Sequence, residues 1–157
     1  MFRTVVSAEG LALHRRRSAG CTYPATVRVY LCRHAQAMAG EPDELRELTS
    51  EGVEQARALG ARLAALTAPP RLVLTSPLVR ARQTGTQIAT ATGVTVRVEA
   101  ALAPGATAAA LIAALADEPG PVATVGHQPD CSKIALAVLG RDPGFPVAGM
   151  AELELTG

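Results

Sequence analysis

Apolar and polar positions change period several times along the chain, and those changes divide it into elements. Val27 to Cys32 is a β-branched, apolar run of strand length. Gly40 to Leu48, with Pro42 and several acids, reads as a loop. Thr49 then caps a helix with Glu51 in its first turn, and Val53, Ala56, Leu59, Leu63 and Leu66 share one face at helical spacing until Pro69-Pro70. Arg71 to Thr75 is a second strand. Ser76-Pro77 reads as an N-cap followed by an N1 proline, opening a helix that stops at Gly93. Thr95 to Glu99 is a third strand, and Thr107 caps a short Ala/Leu helix to about Asp117. Pro121 to Val125 is a fourth strand, Asp130 caps a helix over 131–139, and Met150 to Leu155 is a last strand. Strands alternating with helices predict an α/β domain with a mostly parallel central sheet.

Residues 1–26 carry no clean period and hold His14, the triplet Arg15-Arg16-Arg17, Gly20 and Pro24. They read as a loosely ordered extension preceding one domain over 27–157, since 157 residues suit one core and not two. Glu9 and Gly10 interrupt the only apolar stretch there, and the basic run follows it, which is the wrong order for a secretory signal. Pro104 and Gly105 break the Ala-rich segment 100–116, so it is no membrane span. A cytoplasmic protein is expected.

Composition narrows the function. A net charge of +1 gives no field for nucleic acid or an anionic membrane, and the chain has no Trp for stacking bases. Lys133 is the only lysine, a skew better explained by genomic base composition than by phosphate binding. Cys21, Cys32 and Cys131 have no CxxC spacing, so neither a disulfide framework nor a zinc site is indicated, and Cys32 should be a buried, inert thiol.

The chemistry lies at strand ends. The first strand runs into Arg33-His34, the second into Ser76 with Arg80 one turn into its helix, and the fourth into Gly126-His127. Ligands of open α/β sheets bind outside the carboxyl ends of the strands, so parallel strands would collect these residues in one place. Two arginines, two histidines and a helix N-terminus suit a dianionic phosphoryl group. A neutral imidazole can attack phosphorus, while the second histidine and the arginines stabilise the equatorial oxygens. A histidine at a strand end is more often a structural hydrogen-bonder, but four such residues at three strand ends favour a site. No GxGxxG or GxxxxGK[ST] occurs, which argues against a Rossmann-type nucleotide binder.

Four segments carry a family resemblance: Arg33-His34-Ala35-Gln36-Ala37; Leu48-Thr49-Ser50-Glu51-Gly52 with Gln55-Ala56; Ser76-Pro77-Leu78-Val79-Arg80-Ala81-Arg82-Gln83-Thr84; and Val125-Gly126-His127-Gln128-Pro129-Asp130. With them the chain resembles the histidine phosphatase (phosphoglycerate-mutase-like) superfamily, and within it the SixA-type phosphohistidine phosphatases, over roughly residues 27–156. The resemblance implies a three-layer α/β/α sandwich, His34 as the phosphorylated nucleophile, and Arg33, Arg80 and His127 completing the phosphate pocket, with no metal or organic cofactor. Arg82 should point away from Arg80 and pair at the surface. Ser76 and Gln83 should be structural.

Two departures bear on this reading. The family's Arg-His-Gly is Arg-His-Ala here, tolerable where Ala35 has an ordinary backbone. The acid that many relatives carry before Leu-x-Pro-Gly is replaced by Ala100 and Ala101, which leaves Glu99 as the nearest candidate and Asp130 as another, better explained as a cap. A weak acid penalises poor leaving groups most and the labile P–N bond of phosphohistidine least. Little chain between Thr84 and His127 is left for a lid, so the site should be open to a phosphorylated protein such as an HPt-type domain. The alternatives are a small-molecule phosphomonoesterase of the same superfamily, acting on a sugar, nucleotide or cofactor-precursor phosphate, and a degenerate module that only binds phosphorylated partners.

Overall fold

The apolar run of the first strand is explained by a helix layer on each side of it. The computed structural model describes residues 6–7 and 26–156. The strands are β1 (Val6–Ser7), β2 (Thr26–Arg33), β3 (Leu72–Thr75), β4 (Thr95–Val98), β5 (Val122–Gly126) and β6 (Met150–Thr156); the helices are α1 (Ser50–Ala64), α2 (Val79–Thr92), α3 (Ala108–Ala114) and α4 (Asp130–Leu139). The sheet order is β1-β6-β2-β5-β3-β4. β2, β5, β3 and β4 are mutually parallel, and β6 runs antiparallel to β2. Apart from Val6–Ser7, which pair with the end of β6, the expected N-terminal extension lies outside the described residues.

Val27, Val29 and Leu31 of β2 face Leu111 and Leu115 at α3 and Ile134, Ala135 and Val138 of α4. Tyr30 and Cys32 face the other way, toward Ala56, Leu59 and Leu63 of α1 and Ala81, Ile88 and Ala89 of α2. One strand thus feeds two cores, which makes the three-layer α/β/α sandwich and explains why β2 reads as a continuous apolar run. Two glycines permit close approach on the α1–α2 side. A Cβ on Gly52 would stand 2.0 Å from the backbone oxygen of Gln36, and one on Gly85 2.2 Å from Thr75 Cγ2. Cys32 and Cys131 are buried free thiols, and desolvation raises the pKa of both.

Two caps differ from the sequence expectation. α2 begins at Val79 with Leu78 as its N-cap, so Ser76 does not cap it; the Ser76 hydroxyl accepts from Leu78 N at 3.3 Å inside the preceding turn. α4 begins at Asp130 with Pro129 before it, and the Asp130 carboxylate instead accepts from Gly105 N (2.8 Å) and Ala106 N (3.2 Å), pinning a distant loop. In both cases a tertiary partner, His127 Nε2 for Ser76 and the Gly105–Ala106 loop for Asp130, prevails over the local cap. Thr49 and Thr107 cap as expected, accepting from Gly52 N and Ala110 N.

Candidate active site

The register of three parallel strands sets the site. Arg33 pairs with Gly126 across β2–β5, and Thr75 with Val125 across β3–β5. His34 and His127 therefore leave adjacent strands at the same level, with Ser76 alongside. Two bonds extend the ladder past the strand ends, His34 N to Gly126 O (3.1 Å) and Ser76 N to Val125 O (3.0 Å). The two imidazoles stand with centroids 5.3 Å apart, tilted by 54°.

His34 is oriented by its own backbone. Its Nδ1 lies 2.7 Å from the carbonyl oxygen of Ala35, which can only accept, so Nδ1 carries the proton and Nε2 keeps its lone pair. Ala35 is wholly buried, and its N donates to Thr84 Oγ1 at 3.1 Å, while Thr84 Oγ1 donates to Arg80 O at 2.8 Å. Among the described residues Ala148 is the sole non-glycine with positive φ. The backbone at Ala35 is therefore ordinary, and no glycine is required there.

Burial pushes the His34 imidazolium down to about 4; Arg80, Arg33 and Arg46 add to the shift, and the bond to Ala35 opposes it. Burial, followed by the charges of His34 and Arg80, likewise pushes His127 down to about 4. Both rings are neutral at physiological pH, as an attacking nitrogen must be.

His127 is buried, and its Nε2 lies 2.7 Å from Ser76 Oγ. That hydroxyl accepts from Leu78 N and still has a proton to give to Nε2, an arrangement that would leave His127 Nδ1 as the N–H. Among the described residues, His127 Nδ1, Arg33 Nε and Arg80 Nε are buried without a hydrogen-bond partner. A buried donor without an acceptor costs about 1–3 kcal/mol, and the Nε–H groups of Arg33 and Arg80 are two such donors beside the unpartnered His127 nitrogen. Each arginine is anchored elsewhere by its NH1, Arg33 on Phe145 O (3.0 Å) and Arg80 on Asp43 O (2.8 Å).

The chain matches the family model of the histidine phosphatase superfamily, branch 1, over residues 29–104. A solved structure assigned as the phosphohistidine phosphatase SixA of Nakamurella multipartitia is 30% identical over 87% of this chain and 88% of its own, with a TM-score of 0.64. The chain belongs to the histidine phosphatase superfamily. A second structure with the SixA assignment, from Agrobacterium tumefaciens, is 29% identical over 80% of this chain and 90% of its own, TM-score 0.70. A mycobacterial glucosyl-3-phosphoglycerate phosphatase shares the fold at 24% identity, covering 82% and 90% of the two chains with a TM-score of 0.63. No curated protein sequence matches significantly. As a histidine phosphatase the chain is a hydrolase of phosphorylated substrates.

The structure thus brings together Arg33, His34, Arg80 and His127. Glu99 is occupied differently, because its carboxylate accepts from Ala101 N at 3.1 Å and caps the 3-10 turn Ala100–Leu102. With Asp130 tied to Gly105 and Ala106, both acids considered from the sequence have structural partners. Arg82 is exposed on α2, as its spacing from Arg80 predicts.

Sequence reasoning missed Asp43, which receives Arg80 NH2 on Oδ2 (3.1 Å) and Arg46 NH1 on Oδ1 (2.9 Å). It also read Ser76 only as a cap. An acid three residues before an arginine in a loop is a common surface pattern, so no local signal could have found Asp43. Gln83 bridges to the same loop, its Oε1 accepting from Leu48 N at 2.8 Å.

Proposed function

We propose that the protein removes phosphoryl groups through a covalent phosphohistidine on His34, and that its substrate is a phosphohistidine on another protein, as in the SixA type. The observation that carries the first part is that two unpartnered buried donors, Arg33 Nε and Arg80 Nε, and the unpartnered His127 Nδ1 belong to side chains gathered about a histidine whose Nε2 is left free by the bond from Nδ1 to Ala35 O. Nε2 attacks phosphorus, an N–P bond forms, and the bond to the leaving group breaks. Water then attacks the same phosphorus, the His34–P bond breaks, and inorganic phosphate departs. Arg33, Arg80 and His127 hold the equatorial oxygens in both steps, where donors aimed at developing charge are each worth about 10²–10³-fold.

Two observations favour phosphohistidine protein as the substrate. Glu99 and Asp130 are engaged by backbone amides and Asp43 is held between Arg80 and Arg46, so a leaving group that departs as neutral imidazole suits this chain better than an alkoxide. Little chain is left for a lid: Thr84 to His127 is taken up by α2, β4, the 3-10 turn, α3 and β5, and Met38 and Leu45 stand 45% and 60% exposed on the 36–49 loop. The buried, unpaired thiols of Cys32 and Cys131 fit a reducing cytoplasm.

The test is turnover of a phosphorylated HPt-type protein against a panel of sugar, nucleotide and cofactor-precursor phosphates. A kcat/KM at least about a hundredfold higher on the protein is expected; fast turnover of a metabolite phosphate with none on the protein would overturn the assignment.

A further inference from the structure

The loop between β2 and α1 is held as a narrow hairpin. Gln36 O accepts from Thr49 N at 3.0 Å, Ala37 bridges Leu48, and Met38 N donates to Glu47 O at 2.8 Å. At its far end Asp43–Leu45 form a 3-10 turn, and there one carboxylate meets two guanidinium groups: Asp43 Oδ2 on Arg80 and Oδ1 on Arg46. An exposed pair three residues apart holds little by itself. What sets this one apart is that the second carboxylate oxygen lies on a buried arginine of the site, and that Arg80 NH1 also donates to the Asp43 backbone oxygen.

Arg46 is fixed at both ends. Its Nε donates to Met38 O at 2.7 Å and its NH1 to Asp43, while among the described residues no partner takes its NH2. Its side chain is 28% exposed against 7% for Arg80. It is therefore nearer solvent than Arg80 while sharing with it the Asp43 carboxylate.

We infer that Asp43 is a positioning residue that yokes Arg46 to Arg80, so that Arg46 serves as a third cation for the incoming phosphoryl group. This rests on the phosphoryl-transfer reading of the site. The charge of Arg46 already reaches His34, where it acts in the same direction as Arg80 and Arg33, and Asp43 acts on His127 in the opposite sense. With Arg46 on one oxygen and Arg80 on the other, the Asp43 carboxyl lies below the usual carboxylate range.

Orthophosphate and tungstate binding, measured by calorimetry on the full chain, tests this with Arg46→Gln, Arg46→Lys, Asp43→Asn and the Asp43→Asn/Arg46→Gln double variant. Arg46→Gln should weaken the anion about tenfold, the scale of one charge-assisted bond, and Arg46→Lys should recover part of that. Asp43→Asn should weaken it about threefold while Arg46 is present, and should leave it unchanged or tighter in the Arg46→Gln background, where only repulsion of the anion is removed. Imidazole titrations give a second readout that a merely structural loop would not move. His34 faces Arg80, Arg33, Arg46 and His127; His127 faces His34, Arg80, Asp130 and Asp43. Arg46→Gln should raise the His34 midpoint, and Asp43→Asn should lower that of His127. Anion affinity within twofold of the parent in Arg46→Gln, or an equal Asp43→Asn effect in both backgrounds, would overturn the yoke while leaving the phosphatase reading intact. A parent chain that binds neither anion would overturn both.

Discussion

The floor and the rim of the site are built on different principles. The floor hangs from the ends of β2, β5 and β3, where ladder bonds continue past the strands and His127 and Ser76 are buried. The rim is the 36–49 hairpin, where Met38, Glu41 to Leu45 and Glu47 are exposed and order comes from its own backbone bonds and from the Gln83 and Arg80 side chains of α2, which reach its backbone. The floor is positioned by the sheet before any ligand arrives; the rim is positioned by the floor. Damage to the floor should therefore cost chemistry, and damage to the rim should cost affinity.

The largest effect should come from the centre of the floor. His34→Ala removes the nitrogen proposed to accept the phosphoryl group and should lower kcat by about four orders of magnitude or more, with an unchanged circular dichroism spectrum. Arg80→Ala should lower kcat/KM by about 10²–10³-fold. Because Arg80 also anchors Asp43, it should loosen the rim too, read as faster amide exchange at Asp43 to Arg46. If Arg80→Ala changed KM alone, the division between floor and rim would fail.

Smaller effects should come from what supports the floor. Ser76→Ala frees His127 Nε2 from its partner and should cost about tenfold in kcat. Gly52→Ala pushes a methyl against the Gln36 carbonyl at the root of the hairpin. It should cost about 1–3 kcal/mol in urea unfolding and raise KM more than it lowers kcat.

Protonation offers a test of the floor alone. Unfolded imidazoles take up a proton below about 6.5, whereas His34 and His127 in the fold resist it down to about 4. The stability these two residues provide is complete above pH 6.5 and is lost as the pH falls toward 4. NMR titration of the free protein should place both midpoints near 4; midpoints near 6.5 would mean the floor is wet.

The same division explains what could be read from the sequence. β2, β3 and β5 announce themselves by apolar runs, and their terminal residues Arg33-His34, Ser76 and Gly126-His127 follow in fixed register, so the floor was legible once the strands were taken as parallel. The apolar face of α1 was equally plain from its spacing. The rim was not, because Asp43 meets Arg80, 37 residues away, in a contact that no local pattern encodes. Ser76 and Asp130 misled for a related reason: each has the chemistry of a cap, and each is used on a distant partner instead. Glu99 was considered as an acid because of its place before Ala100, yet that same place makes it the cap of a 3-10 turn.

The central claim is that a phosphoryl group passes through His34 Nε2. Brief mixing with a phosphohistidine protein, an alkaline quench and peptide mapping by mass spectrometry tests it directly. The account predicts an acid-labile, alkali-stable phosphoryl group on His34, absent from His34→Ala and accumulating when water attack is slowed. Full turnover by His34→Ala, or an adduct mapped to His127 with His34 unmodified, would contradict it.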